Sequence, residues 1–141
     1  MSNQLSREGD LIPQIGSPSH SRLFSLDEAI SLLPLVKKVT AIAITGLEPT
    51  QLRYLNLLDC DPRKRELESE YEKLVRLWME KMARLGLLVP GLWEVNFDTG
   101  EGYLSWKYPE LELAFFVEYG DPNLTRHSLT EVLYERGPCW A

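Results

Sequence analysis

The stretch "GYLSWKYPELELAFFVEYG", Gly102 to Gly120, decides how the chain folds. Apolar and polar residues alternate through it, which is the period of a strand whose two faces meet different surroundings. Tyr108-Pro109 divides it, because proline presets a turn and offers no amide to a ladder. The preceding "LWEVNF", from Leu92, alternates in the same way and is joined by the turn signal Asp98-Thr99-Gly100. Links this short force antiparallel neighbours. Three strands, starting at Leu92, Gly102 and Glu110, therefore form a meander. One face carries Trp93, Val95, Phe97, Leu104, Trp106, Leu113, Phe115 and Val117; the other carries Tyr103, Ser105, Lys107, Glu112, Phe116 and Glu118.

An apolar sheet face needs cover, and two upstream segments offer it. In "FSLDEAISLLPLVKKVTAIAIT" the Ser25 and Glu28 pair has capping-box spacing, which starts a helix at Leu26. Polar positions recur every three or four residues and leave a wide apolar face with Ile30, Leu33, Val36 and Val39. Pro34 predicts a bend on the polar stripe. Glu48-Pro49-Thr50 reads as a breaker, followed by a short helix from about Gln51 to Leu58. "DPRKRELESEYEKLVRLWMEKMARLG" reads as a long helix with Asp61 as N-cap, Pro62 in the first position and Gly86 as terminator. Its stripe is Leu67, Tyr71, Leu74, Trp78, Met82 and Leu85. The expected fold is α+β: long helices forming a hairpin packed on one face of a three-stranded antiparallel β-meander.

Residues 1–22, rich in Ser, Pro and Gly, read as a flexible leader; 23–129 form the single α+β domain; 130–141 form a short C-terminal helix or tail, with Ser128 and Glu131 at capping-box spacing. A total of 141 residues, 44% hydrophobic and 26% charged, suits one globular domain. The net charge of -6 is concentrated late: residues 1–91 carry 12 basic and 12 acidic side chains, and 92–141 carry 3 and 9. Such clustered negative charge repels phosphate backbones, so nucleic acid is not an expected partner. Cys60 and Cys139 fit no metal spacing, the start lacks a secretory pattern, and no apolar run approaches the ~20 residues of a membrane span. These features lead to the expectation of a cytoplasmic protein with no membrane partner.

From "LFSLDEAISLLPLVKKV" through "GLWEVNF" to "GYLSWKYPELELAFFVEYGDPNLTRHSL", about residues 23–129, the chain resembles the bacterial family known as domain of unknown function 2203. The resemblance rests on Phe24, Glu28, Ala29, Leu32, Leu33 and Pro34 in the first helix, and on Trp106, Lys107, Glu112, Glu118 and Arg126 in and after the sheet. It implies a fold and no activity. Ser105 stands where that family usually has Cys, and Val117 where it usually has His; any chemistry resting on those residues is lost or altered here.

Lys107, Glu112 and Glu118, expected on one side of the meander, form a candidate ligand-binding set with Arg126, which follows a Gly-Asp-Pro-Asn turn. A row like this is more often a solvated face with weak cross-strand pairs, and an Arg so placed more often ties its loop to Glu118 or Asp121. His20 and His127 begin no ligand cluster, so neither a metal nor another cofactor is expected. No phosphate-cradling loop, nucleophile elbow or paired-His helix is present, and no catalytic residue is assigned. Phe116 beside Tyr103 would be an exposed aromatic pair; that patch, or the exposed faces of the helices, is the candidate interface with a second copy or another protein. The expected function is a protein-interaction or homo-oligomeric assembly module; a small-ligand binder or hydrolytic enzyme using Lys107, Glu112, Glu118 and Arg126 is the alternative.

Overall fold

The computed structural model describes residues 22–136. In chain order the elements are α1 (Leu26–Leu55), α2 (Arg63–Arg84), β1 (Leu88–Gly91), β2 (Glu94–Asp98), β3 (Gly102–Lys107), β4 (Phe115–Glu118), β5 (His127–Ser128) and α3 (Leu129–Arg136). Nearly all of the expected leader, and residues 137–141 of the expected tail, lie outside the described residues.

The α+β class holds, with α1 and α2 packed on an antiparallel sheet. That sheet has five strands rather than three, in the order β1-β2-β3-β4-β5. The two additional strands lie at its edges and are short. β1 contains Pro90, which a central strand would not tolerate and an edge strand does.

Helix α1 starts where the sequence predicts. The Glu28 amide donates to Ser25 Oγ (3.1 Å) and the Ser25 amide to Glu28 Oε1 (2.9 Å). It then continues for 30 residues, through Gly46 and Pro49, where a break and a second helix were expected. Pro49 is exposed, so water can satisfy the carbonyl that its missing amide leaves open. Leu47 and Thr50 are buried on the side where α1 packs along α2, and this holds the helix through the proline. Asp61 Oδ1 accepts from the Arg63 amide (2.9 Å), capping α2 across Pro62, and Gly86 ends that helix at φ +87.

The core lies between the helices and the inner sheet face. Ala29, Leu33 and Val36 of α1 meet Trp78 and Met82 of α2 over Val95, Phe97, Leu104 and Trp106, and Leu129 and Val132 close the far side. Trp78 Nε1 donates to Thr40 Oγ1 (2.9 Å) inside this core, and its ring stands edge-on to Trp93 at 4.8 Å. A buried indole N–H needs such a partner.

The sheet register corrects the third strand. Gly102 faces Glu118, Tyr103 faces Val117, Leu104 faces Phe116 and Ser105 faces Phe115. Phe116 therefore shares the inner face with Leu104 and is 0% exposed, while Phe115 and Val117 lie on the outer face. The chain does not run extended from Glu110. It folds back after β3, where the Glu110 amide donates to Lys107 O (2.8 Å) and Trp106 Nε1 donates to Glu110 O (2.8 Å). Leu113 and Phe116, three residues apart, both enter the core, so the two-residue period fails at Ala114.

Candidate functional site

The four residues singled out for ligand binding do not converge. Lys107 ends β3 opposite Glu94, whereas Glu118 pairs with Gly102 at the other end of the same strand, about 17 Å away at ~3.3 Å per residue. Register also puts them on opposite faces, which corrects the expectation of a shared side. Glu112 is exposed in the irregular segment before β4. His127 Nε2 lies 3.8 Å from Glu118 Oε2.

Arg126 is the one member of the set that organises its surroundings. Asp121 prepares it: Oδ1 accepts from the Asn123 amide (2.9 Å) and Oδ2 from the Thr125 amide (3.0 Å), so the loop is shaped to deliver residue 126. These amides, first Asn123 and then Thr125, hold the Asp121 carboxyl below its usual range. Arg126 then lies across the outer sheet face. Its guanidinium stands over the Phe115 ring, 4.1 Å from the centroid. Nη1 and Nη2 form a fork on Glu110, at 2.7 Å each. Nε donates to Ser105 Oγ (3.1 Å) and Nη2 also to Ser105 O (3.3 Å).

This geometry makes a clasp. Most of the donor directions of the guanidinium are already used within the chain, so an incoming anion would have to displace Glu110. Sequence reasoning foresaw a loop tied down by Arg126 and named Glu118 or Asp121 as its carboxylate; the fold-back at Tyr108-Pro109 supplies Glu110 instead. Ser105, where the resembled family usually has Cys, serves here as an acceptor for Arg126. Beside it in the register, Asn96 is buried and its Oδ1 has no hydrogen-bond partner among the described residues.

Burial alone would raise the Glu110 carboxyl. The Arg126 hydrogen bonds, the Lys107 amide and the charges of both cations outweigh it, so the net shift is downward from the usual 4.5. A depressed carboxylate stabilises the fold above its unfolded pKa, and that contribution is lost as pH falls through the folded value. Arg126→Ala is expected to lower stability by about 2 kcal/mol at neutral pH, the scale of part-buried charge-assisted hydrogen bonds. Urea unfolding of the wild type at pH values above and below 4.5 should show the acid loss, and Glu110→Gln should show a shallower one. Equal acid slopes in the two chains would remove the clasp from the account.

Tyr103, the other candidate interface residue, pairs edge-on with Tyr119 at 5.0 Å rather than with Phe116. The Tyr119 hydroxyl donates to Asp98 Oδ1. Burial first, and then that carboxylate, push the Tyr119 phenol up to about 12. The phenol of Tyr103 is raised by burial and then by the Asp98 charge.

Two grooves among the described residues lie elsewhere. Of about 490 and 430 Å³, they flank the closed end of the hairpin, where the turn joins α1 to α2; Tyr54, Glu68 and Tyr71 line the first, Arg53, Arg63 and Glu70 the second. None of the four candidate residues lines either. Among the described residues no group of three His, Cys, Asp or Glu side chains is placed to hold a metal ion.

The largest unexplained feature is α1 itself. Its inner side is covered, but Ile30, Leu35, Ile42 and Leu52 are 51%, 45%, 60% and 61% exposed. By length and composition α1 could cross a membrane, and only 22% of its most apolar 18 residues are buried. The linear reading saw a wide apolar face but missed the membrane-span length, because Pro34, the two lysines and Pro49 interrupt the apolar run while the helix continues regardless.

Comparison with known proteins adds no assignment: no family model, curated protein or solved structure matches the chain.

Proposed function

We propose that the protein is a small homo-oligomeric assembly module whose docking surface is the outward side of α1. The observation that carries it is the half-exposed Ile30, Leu35, Ile42 and Leu52 on a helix whose opposite side already builds the core. An apolar face of that extent is stable in water when a second surface covers it. The reading keeps self-association and, of the two surfaces the sequence offered, takes the exposed helix face rather than Tyr103 and Phe116. The order of the Leu-Leu-Pro and Trp-Lys blocks supports membership in the domain of unknown function 2203 family. The exposed free Cys60 fits a reducing cytoplasm.

Sedimentation velocity at about 10 μM, a concentration that populates micromolar dimers, should give twice the chain mass. Ile42→Glu should weaken the dimer about thirtyfold, the ~2 kcal/mol of a central contact, while leaving the far-UV circular dichroism unchanged. A wild type that stays monomeric, or a dimer indifferent to Ile42→Glu, would refute this surface.

A further inference from the structure

We infer that the occupant of the α1 face is a second copy of the same helix running antiparallel, with its two-fold axis beside Ala41 and Ile42. The inference rests on the assembly reading above and fixes the partner's orientation.

Three observations converge on it. At 100° per residue, Ile30, Pro34, Leu35, Ile42, Pro49 and Leu52 fall within an arc of roughly 140° along a cylinder about 45 Å long. These apolar side chains flank a polar line of Asp27, Ser31, Lys38 and Thr45 that runs down the middle of the same arc. Second, the exposed charges on the same arc alternate in sign along the helix: Asp27, then Lys38, then Glu48, then Arg53. Lys37 lies off the arc and is engaged elsewhere, donating to Leu111 O at 2.9 Å. Among the described residues Arg53 makes a long contact with Glu70, at 3.9 Å, with both side chains well exposed.

An antiparallel pair centred beside Ala41 and Ile42 sets Pro34 against Pro49 of the second copy. It puts Lys38 within about one turn of the copy's Glu48, and Asp27 within about one turn of the copy's Arg53. Every pair is then opposite in sign and occurs twice by symmetry. A parallel pair would stack each charge on its own duplicate. The acidic first turn and basic last turn of α1 add the same preference through the helix dipoles.

The third observation is area. The four half-exposed aliphatic side chains leave roughly 400 Å² of apolar surface on each copy, so about 800 Å² is covered by them in a pair; the prolines and the stems of Lys38 and Arg53 bring the total towards the ~1,200 Å² of a stable interface.

Oxidative cross-linking of the full chain tests the orientation, on a background of Cys60→Ser and Cys139→Ser. Ile42→Cys lies next to the axis and should form a disulfide-linked dimer. Ile30→Cys alone should not, but mixed with a Leu52→Cys chain it should give the hetero-linked pair. Charge exchange gives an independent readout: Lys38→Glu should raise the dissociation constant about threefold to tenfold, and adding Glu48→Lys to the same chain should restore it. A dimer in which Ile30→Cys links to itself, or in which Lys38→Glu has no effect, overturns the antiparallel arrangement while leaving self-association standing. A chain that is monomeric in solution overturns both, as does one that sediments with phospholipid vesicles through α1 instead of pairing.

Discussion

Phe116→Glu is expected to abolish the cooperative fold. Phe116 is fully buried, faces Leu104 across the β3–β4 ladder, and packs so closely over Gly102 that a methyl group there would lie 2.2 Å from the ring. Truncating a buried Phe to Ala costs about 3–5 kcal/mol. Placing a carboxylate in the same apolar site adds the penalty of an unpaired buried charge. A domain of this size has a total stability of about 5–15 kcal/mol, so the variant should lose its near-UV circular dichroism and its sigmoidal urea transition. Phe116→Leu should fold with reduced stability and serves as the control. A Phe116→Glu chain that melts like the wild type would mean that the side chain faces water, and that the strand has the register which strict alternation from Glu110 draws.

Trp78→Ala should be nearly as damaging, at about 4–5 kcal/mol. The indole is among the largest fully buried side chains and joins three elements at once: α2 that carries it, Thr40 of α1 through its N–H, and Trp93 of the β1–β2 turn through its ring edge. Its loss combines a large cavity with a buried threonine hydroxyl deprived of its donor. Trp78→Phe keeps most of the volume and Thr40→Val keeps the ring, so urea unfolding of the two singles and the double separates packing from the hydrogen bond. A Trp78→Ala loss below about 1 kcal/mol would be incompatible with a core organised around this residue.

What the sequence made legible was local. The Ser25 and Glu28 cap, Asp61 at the head of α2, Gly86 at its end and the stripe from Leu67 to Leu85 each depend on residues within a few turns, and each is in place. What it hid depended on distant neighbours. Pro49 looks like a stop until α2 packs beside it. β5 is two residues long and exists only because β4 is there to pair with it. The Phe115-Phe116 doublet fits either parity, so pattern alone could not choose; Gly102 was the overlooked clue, since a glycine in a strand often marks a large ring crossing it. The candidate site was readable to the same degree. An Arg126 tying its loop to a carboxylate was one of two readings the sequence offered, beside ligand binding, and which carboxylate depended on a fold-back. The wide apolar face of α1 was visible too, and the structure divides it into a covered half and an open half.

Proline 90 in the first strand and the two-residue fifth strand bear on how copies can meet. A long bare strand margin invites neighbours to add on indefinitely, the route to fibrils. Here one margin holds a residue that donates no amide and the other is barely long enough to pair once, so ribbon-on-ribbon growth is blocked at both borders. Under the proposed pairing through the helical side, contact with a single twin would use up the available surface and stop the assembly at a finite size.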